Sequence, residues 1–162
     1  MCASYNLGDN TFTIKVDPNT QGSTARYVFT LNFDSYVNVH SSTEFIVTLP
    51  SQISVSSTTV CMNPCDDIIS SCPSITSPYN STEHTVLVQP FSTSDYINQT
   101  VFTLWFSNPS KAMTTDNFLI TMHEGSIAKN FVPQNVKIEE VSGNTLKRFV
   151  CDHVRSEERR VG

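Results

Sequence analysis

Two tripeptides carry the acceptor pattern for N-linked sugar, Asn80-Ser81-Thr82 and Asn98-Gln99-Thr100. In that pattern an asparagine amide takes the oligosaccharide, and a hydroxyl two residues on completes the recognised tripeptide. Asn108-Pro109-Ser110 has the same outline but is blocked by its proline. Both open sequons fall in turn-like stretches just ahead of apolar runs, so an attached glycan would stand in solvent. Carbohydrate is expected on Asn80, Asn98 or both. The hydroxyl- and proline-rich stretch from Ser70 to Pro78 offers further acceptors for O-linked sugar.

The second reactive set is five cysteines, Cys2, Cys61, Cys65, Cys72 and Cys151, three of them clustered between positions 61 and 72. A zinc site would need a fourth ligand, for which Asp66, Asp67 or His84 could serve, and usually a tighter pair spacing. A disulfide stapling the loop suits an oxidising compartment better, and would contribute on the order of 2–3 kcal/mol. Cys65 with Cys72 is the expected bridge. At least one of Cys2 and Cys151 is then expected to bond Cys61 or a neighbouring chain, because the odd total leaves a thiol over.

Catalytic patterns are missing from the sequence. It has no G-x-S-x-G, no glycine-rich phosphate loop and no H-E-x-x-H, and His40, His84, His123 and His153 sit in no recognisable signature. Asp66-Asp67 would diverge on an extended backbone, which is poor general acid–base geometry. The expectation is a chain that is not an enzyme and takes no cofactor and no metal.

Composition narrows the setting. Serine and threonine make up 40 of 162 residues, while only 15% are charged, against roughly 25% in ordinary soluble domains. Ten basic against fifteen acidic residues leave a net charge of −5, which disfavours a nucleic-acid partner. No apolar run approaches the roughly 18 residues of a membrane-spanning helix. An extracellular or cell-surface location is expected.

These residues must be positioned by strands, because the dominant pattern has period two. Phe12, Ile14 and Val16 alternate with polar residues, as do Tyr27, Phe29, Leu31 and Phe33, and again Phe45, Val47 and Leu49. Later runs lie at 86–88, 101–106, 118–122, 136–138 and 146–150, and Val101–Phe106, apolar on both faces, reads as a central strand. No window holds a helical stripe. The fold expected is an antiparallel Greek-key, Ig-like β-sandwich of roughly seven to nine strands in one domain over residues 1–154. Tyr27, Phe29, Leu31, Phe45, Val47, Leu49, Leu104, Trp105, Phe118 and Ile120 should fill its core. Ser54–Thr59 and Cys61–Asn80 read as breaks, and residues 17–24 as a hinge behind a first strand.

The ends read differently. MCASYNLGDN lacks the basic and apolar regions of a signal peptide, so a mature end or an internal cut is expected there. Residues 155–162, RSEERRVG, match the in-frame translation of a common sequencing adapter. They are expected to be non-native, with the natural chain continuing differently after Val154.

Tyr27-Val-Phe-Thr-Leu-Asn-Phe33 followed by Glu44-Phe-Ile-Val-Thr-Leu-Pro50 resembles the Ser/Thr-rich β-sandwich repeats of large protist cell-surface and filament glycoproteins. That resemblance, over about residues 10–125, implies an extracellular structural or adhesive role and no catalytic residues. Together with the odd cysteines, the sequons and a detachable first strand (Phe12, Ile14, Val16), it points to a subunit of a glycosylated filament or surface coat. Copies of the chain would join head to tail by strand exchange or edge pairing. The alternative is an extracellular adhesion module binding carbohydrate or protein, with Tyr79, Tyr96 or Phe91 as a platform.

Overall fold

The computed structural model describes residues 9–62, 74–76, 78–91 and 93–141. Every regular element among them is a strand: β1 (Thr11–Asp17), β2 (Thr24–Val39), β3 (Glu44–Thr48), β4 (Ser54–Met62), β5 (Ser74–Thr76), β6 (Tyr79–Asn80), β7 (Thr85–Val88), β8 (Asp95–Ser107), β9 (Met113–Thr114), β10 (Leu119–Glu124), β11 (Ile127–Asn130) and β12 (Lys137–Ile138). The all-β class follows from the alternation, which a strand turns into one apolar and one polar face.

Two five-stranded antiparallel sheets face each other. One has the order β1-β2-β8-β4-β5 and the other β11-β10-β3-β7-β6, with a small β9–β12 ribbon beside them. The chain changes sheet after β2, β3, β5, β7 and β8. β8 lies at the centre of its sheet, as its doubly apolar sequence requires.

The inner faces meet in an aromatic core. Phe29 packs on Phe102 at 5.5 Å, on Phe118 at 5.8 Å and on Phe106 at 6.4 Å between ring centroids. Phe45 reaches Phe102 from the opposite sheet at 5.9 Å. Such stacked, tilted and edge-on pairs add about 0.5–1.5 kcal/mol each beyond the area they bury. All ten residues assigned to the core are buried. Trp105, however, alternates with Leu104 and Phe106 and lies outside their cluster, on the opposite face of β8.

Several sequence expectations need correction. Twelve strands appear among the described residues, eight of them four residues or longer; the other four are pieces of two or three residues, of which only β12 falls in a run read as a strand. Ser54–Thr59 lies within β4, which pairs with β8 at Ser54 and Val55 and again from Val60, with a register shift between. Its hydroxyl-rich sequence hides the strand because only the cross-strand ladder to an apolar neighbour holds it. β5 and β6 likewise lie inside the stretch read as one irregular loop. Residues 1–8, Asp66, Asp67, the run at 146–150 and the segment 155–162 lie outside the described residues.

Candidate functional site

β1 forms the edge of its sheet, and its only strand partner among the described residues is β2. Their register runs from Thr11 opposite Asn32 to Asp17 opposite Arg26. Phe12 is fully buried, 6.3 Å from Phe29 and 6.5 Å edge-on to Phe131. Ile14 and Val16 are only partly buried against the same core, so the three apolar residues are unequal anchors. Asn10 fastens the start of the strand, accepting from Val132 N–H at 3.0 Å and, through Oδ1, from Asp34 N–H at 2.9 Å. Asp17 and Arg26 form an ion pair at the other end.

The segment from 17 to 24, read as a loose hinge, is tied down. Gln21 N–H donates to Glu139 C=O at 2.9 Å and Gly22 N–H to Pro109 C=O at 2.8 Å. Asn108 N–H donates to Ser23 C=O at 2.8 Å. The Asn108 side chain is the centre of the arrangement and is only 6% exposed. Its Nδ2 donates to Pro18 C=O at 3.0 Å and to Thr20 C=O at 2.8 Å. Its Oδ1 accepts from the Tyr27 hydroxyl at 2.5 Å. A buried amide is stable only when so satisfied. The proline-blocked tripeptide thus holds a structural asparagine, a role its spacing does not announce. Burial pushes the Tyr27 phenol far above its ordinary pKa, so the hydroxyl remains a donor.

The two sequons occupy different settings. Asn80 is exposed at the end of β6 and opens the turn to β7. Its Oδ1 accepts from Thr82 N–H at 3.0 Å and Glu83 N–H at 3.1 Å, which leaves its amide nitrogen as the group facing solvent. The turn closes on His84, in the left-handed region at φ 57°. Its Nε2–H donates to Ile53 C=O at 2.7 Å, and its Nδ1 accepts from the Tyr79 hydroxyl at 2.7 Å. His84 therefore stitches the sequon hairpin to the chain before β4. Asn98 lies not in a turn but inside β8, exposed, where the register with β2 shifts between Asn32 and Val37.

Cys61 is the one candidate cysteine whose backbone is described. It stands in β4 opposite Thr103 of β8 and Ser74 of β5. Cys2, Cys65, Cys72 and Cys151 lie outside the described residues, and the expected bridges with them. No cluster of three or more His, Cys, Asp and Glu that could hold a metal occurs among the described residues.

One histidine arrangement escaped sequence inspection. Ser42 Oγ donates to His40 Nδ1 at 2.7 Å, and His40 Nε2–H donates to Glu124 at 3.1 Å. Hydroxyl and imidazole belong to the same turn, closed by Thr43 N–H to His40 C=O and His40 N–H to Thr43 Oγ1, both at 3.0 Å. Those amides are committed to the turn, so they are not donors for a developing oxyanion. The arrangement joins the end of β2 to β10. Of the three aromatic platform candidates, Phe91 packs on Phe45 at 6.2 Å and Tyr79 is held by His84; Tyr96 is 68% exposed.

No protein-family model matches the chain, and no curated protein matches it. Among solved structures the chain is similar to the bacterial hydrophobin BslA, at 13% identity and TM-score 0.45 over 82% of this chain and 98% of that one. It is also similar to the chitin-binding domain of a chitinase from Pyrococcus furiosus, at 17% identity and TM-score 0.41 over 75% and 95% of the two chains. The Reelin-N domain of F-spondin aligns at 16% identity and TM-score 0.36 over 83% and 89%. What these alignments share with the chain is a β-rich architecture. No helix among the described residues is long and apolar enough to cross a membrane.

Proposed function

We propose that this chain is a structural subunit of an extracellular, glycosylated filament or surface coat, and that copies join head to tail along β1. The observation that carries the reading is the edge position of β1: its inner face is anchored in the core by Phe12, while β2 is its only strand partner among the described residues. An edge strand of seven residues invites a further strand unless something covers it. The Ser/Thr-rich, weakly charged composition and the two exposed sequon asparagines support the extracellular setting. Between the two modes of joining, edge pairing costs less. Exchange of β1 would break the bonds that Asn108, Pro109 and Glu139 make to residues 18–23, whereas edge pairing keeps them.

Electron microscopy of the purified chain tests the assembly, with regular fibres expected. Thr13 and Thr30 are register partners, so Thr13→Cys with Thr30→Cys can lock β1 to its own β2, with peptide mapping to confirm the bridge. Fibres from the locked chain are the outcome edge pairing requires. Fibres only after reduction would establish exchange instead, and wild-type chain that stays monomeric at every concentration would refute the filament. Intact mass before and after amidase treatment reads the glycans independently.

A further inference from the structure

The two most exposed tyrosines of the described chain lie on one patch. Tyr96 of β8 is 68% exposed and Tyr36 of β2 is 66% exposed. Asn38 is the register partner of Tyr96, and Val37, the partner of Ile97, is buried. The residues flanking that inward pair, Tyr36 and Asn38 on β2 and Tyr96 and Asn98 on β8, are all exposed. Tyr36 directly precedes Val37, at the end of the stretch where the register of β2 on β8 shifts, on the strand next to Tyr96. Neither ring stacks on another aromatic among the described residues, and neither hydroxyl meets a described partner. Single exposed aromatics need no explanation. Here two share a face with Asn98, an exposed sequon asparagine two residues along the strand from Tyr96.

We propose that Tyr96, flanked by Tyr36, is the seat of the first N-acetylglucosamine attached to Asn98, so that the glycan packs on the sheet as part of the fold. The inference rests on the secreted, glycosylated reading above. Residues i and i+2 of a strand lie about 6.5 Å apart on one face, within reach of a pyranose on the asparagine amide. One face of that sugar presents axial C–H groups, whose weak positive charge suits the negative face of an aromatic ring. Tyrosine loses little conformational entropy in such a contact, and its hydroxyl can still meet sugar hydroxyls. Because the sugar is tethered, it is held at high effective concentration and needs no pocket. The register shift between Asn32 and Val37 interrupts the regular ladder beside Asn98, and such irregularities bend and twist a strand locally.

The test uses the full chain secreted from a glycosylating host, in a Thr82→Ala background that removes the Asn80 sequon and spares the Asn80 side chain. Glycans are trimmed enzymatically to one N-acetylglucosamine. The expected result is a Tm higher than that of Asn98→Gln by roughly 1–6 °C, the size of one aromatic contact in a chain of this length. Tyr96→Leu should abolish that increment, Tyr96→Phe should retain it, and Tyr36→Leu should reduce it. Ring-current shifts of the sugar protons to higher field should vanish in Tyr96→Leu alone. An increment unchanged by Tyr96→Leu overturns the proposal. So does an unoccupied Asn98 when Asn80 of the parent chain is occupied; if neither is occupied, the glycoprotein reading falls with it. Titrating Asn98→Gln with N,N′-diacetylchitobiose distinguishes the other source of the same sugar. Binding that Tyr96→Leu removes would make the patch a site for free chains and overturn the tethered assignment.

Discussion

Asn108 has no charge and no chemistry, yet it decides how β1 is joined to β2. Its amide satisfies two carbonyls of the connecting segment and one buried phenol. Asn108→Ala removes all three bonds and strands the Tyr27 hydroxyl, at an expected cost of about 2–4 kcal/mol in urea unfolding. Tyr27→Phe should cost less, because it leaves only Asn108 Oδ1 short of a donor. The same pair sets an alkaline limit. Burial raises the Tyr27 pKa in the folded state, so the unfolded chain releases that proton first. Stability from this residue is complete below the ordinary phenol pKa of about 10 and declines as pH rises above it. Urea midpoints measured across that range should fall for the wild type, and Tyr27→Phe should flatten the slope.

At the scale of the element, β1 is a strand with one deep anchor. Phe12 is 1% exposed and touches Phe29 of β2 and Phe131, just past β11, whereas Ile14 and Val16 are only partly covered. Phe12→Ala should therefore cost about 3–5 kcal/mol, while Ile14→Ala and Val16→Ala should each cost clearly less. Chemical denaturation of the three variants checks the order, and equal losses would mean the strand is buried along its whole length. The period-two sequence marks Phe12, Ile14 and Val16 as one face but cannot rank them, because depth is set by Phe29 and Phe131, elements away in the chain.

For the whole molecule, the centre is the β2–β8 pair. β2 and β8 bring together residues some seventy positions apart, such as Phe29 and Phe102, and nonlocal pairing of this kind folds slowly, in milliseconds to seconds. Native-state hydrogen exchange should find the slowest amides in the stretch of β2 and β8 from Tyr27 to Leu31 and Phe102 to Phe106. β11, whose side chains are exposed or only partly buried, should exchange early. Slow exchange in β11 would point to a partner covering that edge of the second sheet.

The sequence by itself determined the class of the fold and the identity of the core. Alternating apolar residues commit a chain to strands, and a one-residue slip would turn Tyr27, Phe29 and Leu31 out to water. It also carries the sequon pattern at Asn80 and Asn98, which is read from three consecutive residues. Tertiary structure alone decided the rest. β4 is a strand because its two ends, Ser54–Val55 and Val60–Met62, pair with β8 on either side of the hydroxyl-rich stretch, a preference no local propensity carries. Residues 17–24 are fixed because Asn108 and Glu139 arrive from ninety and more positions away. Tyr36 and Tyr96 come onto neighbouring strands only because β2 pairs with β8. Hydrogen bonds and contacts of that kind join residues by geometry rather than by order along the chain, and geometry is what folding adds.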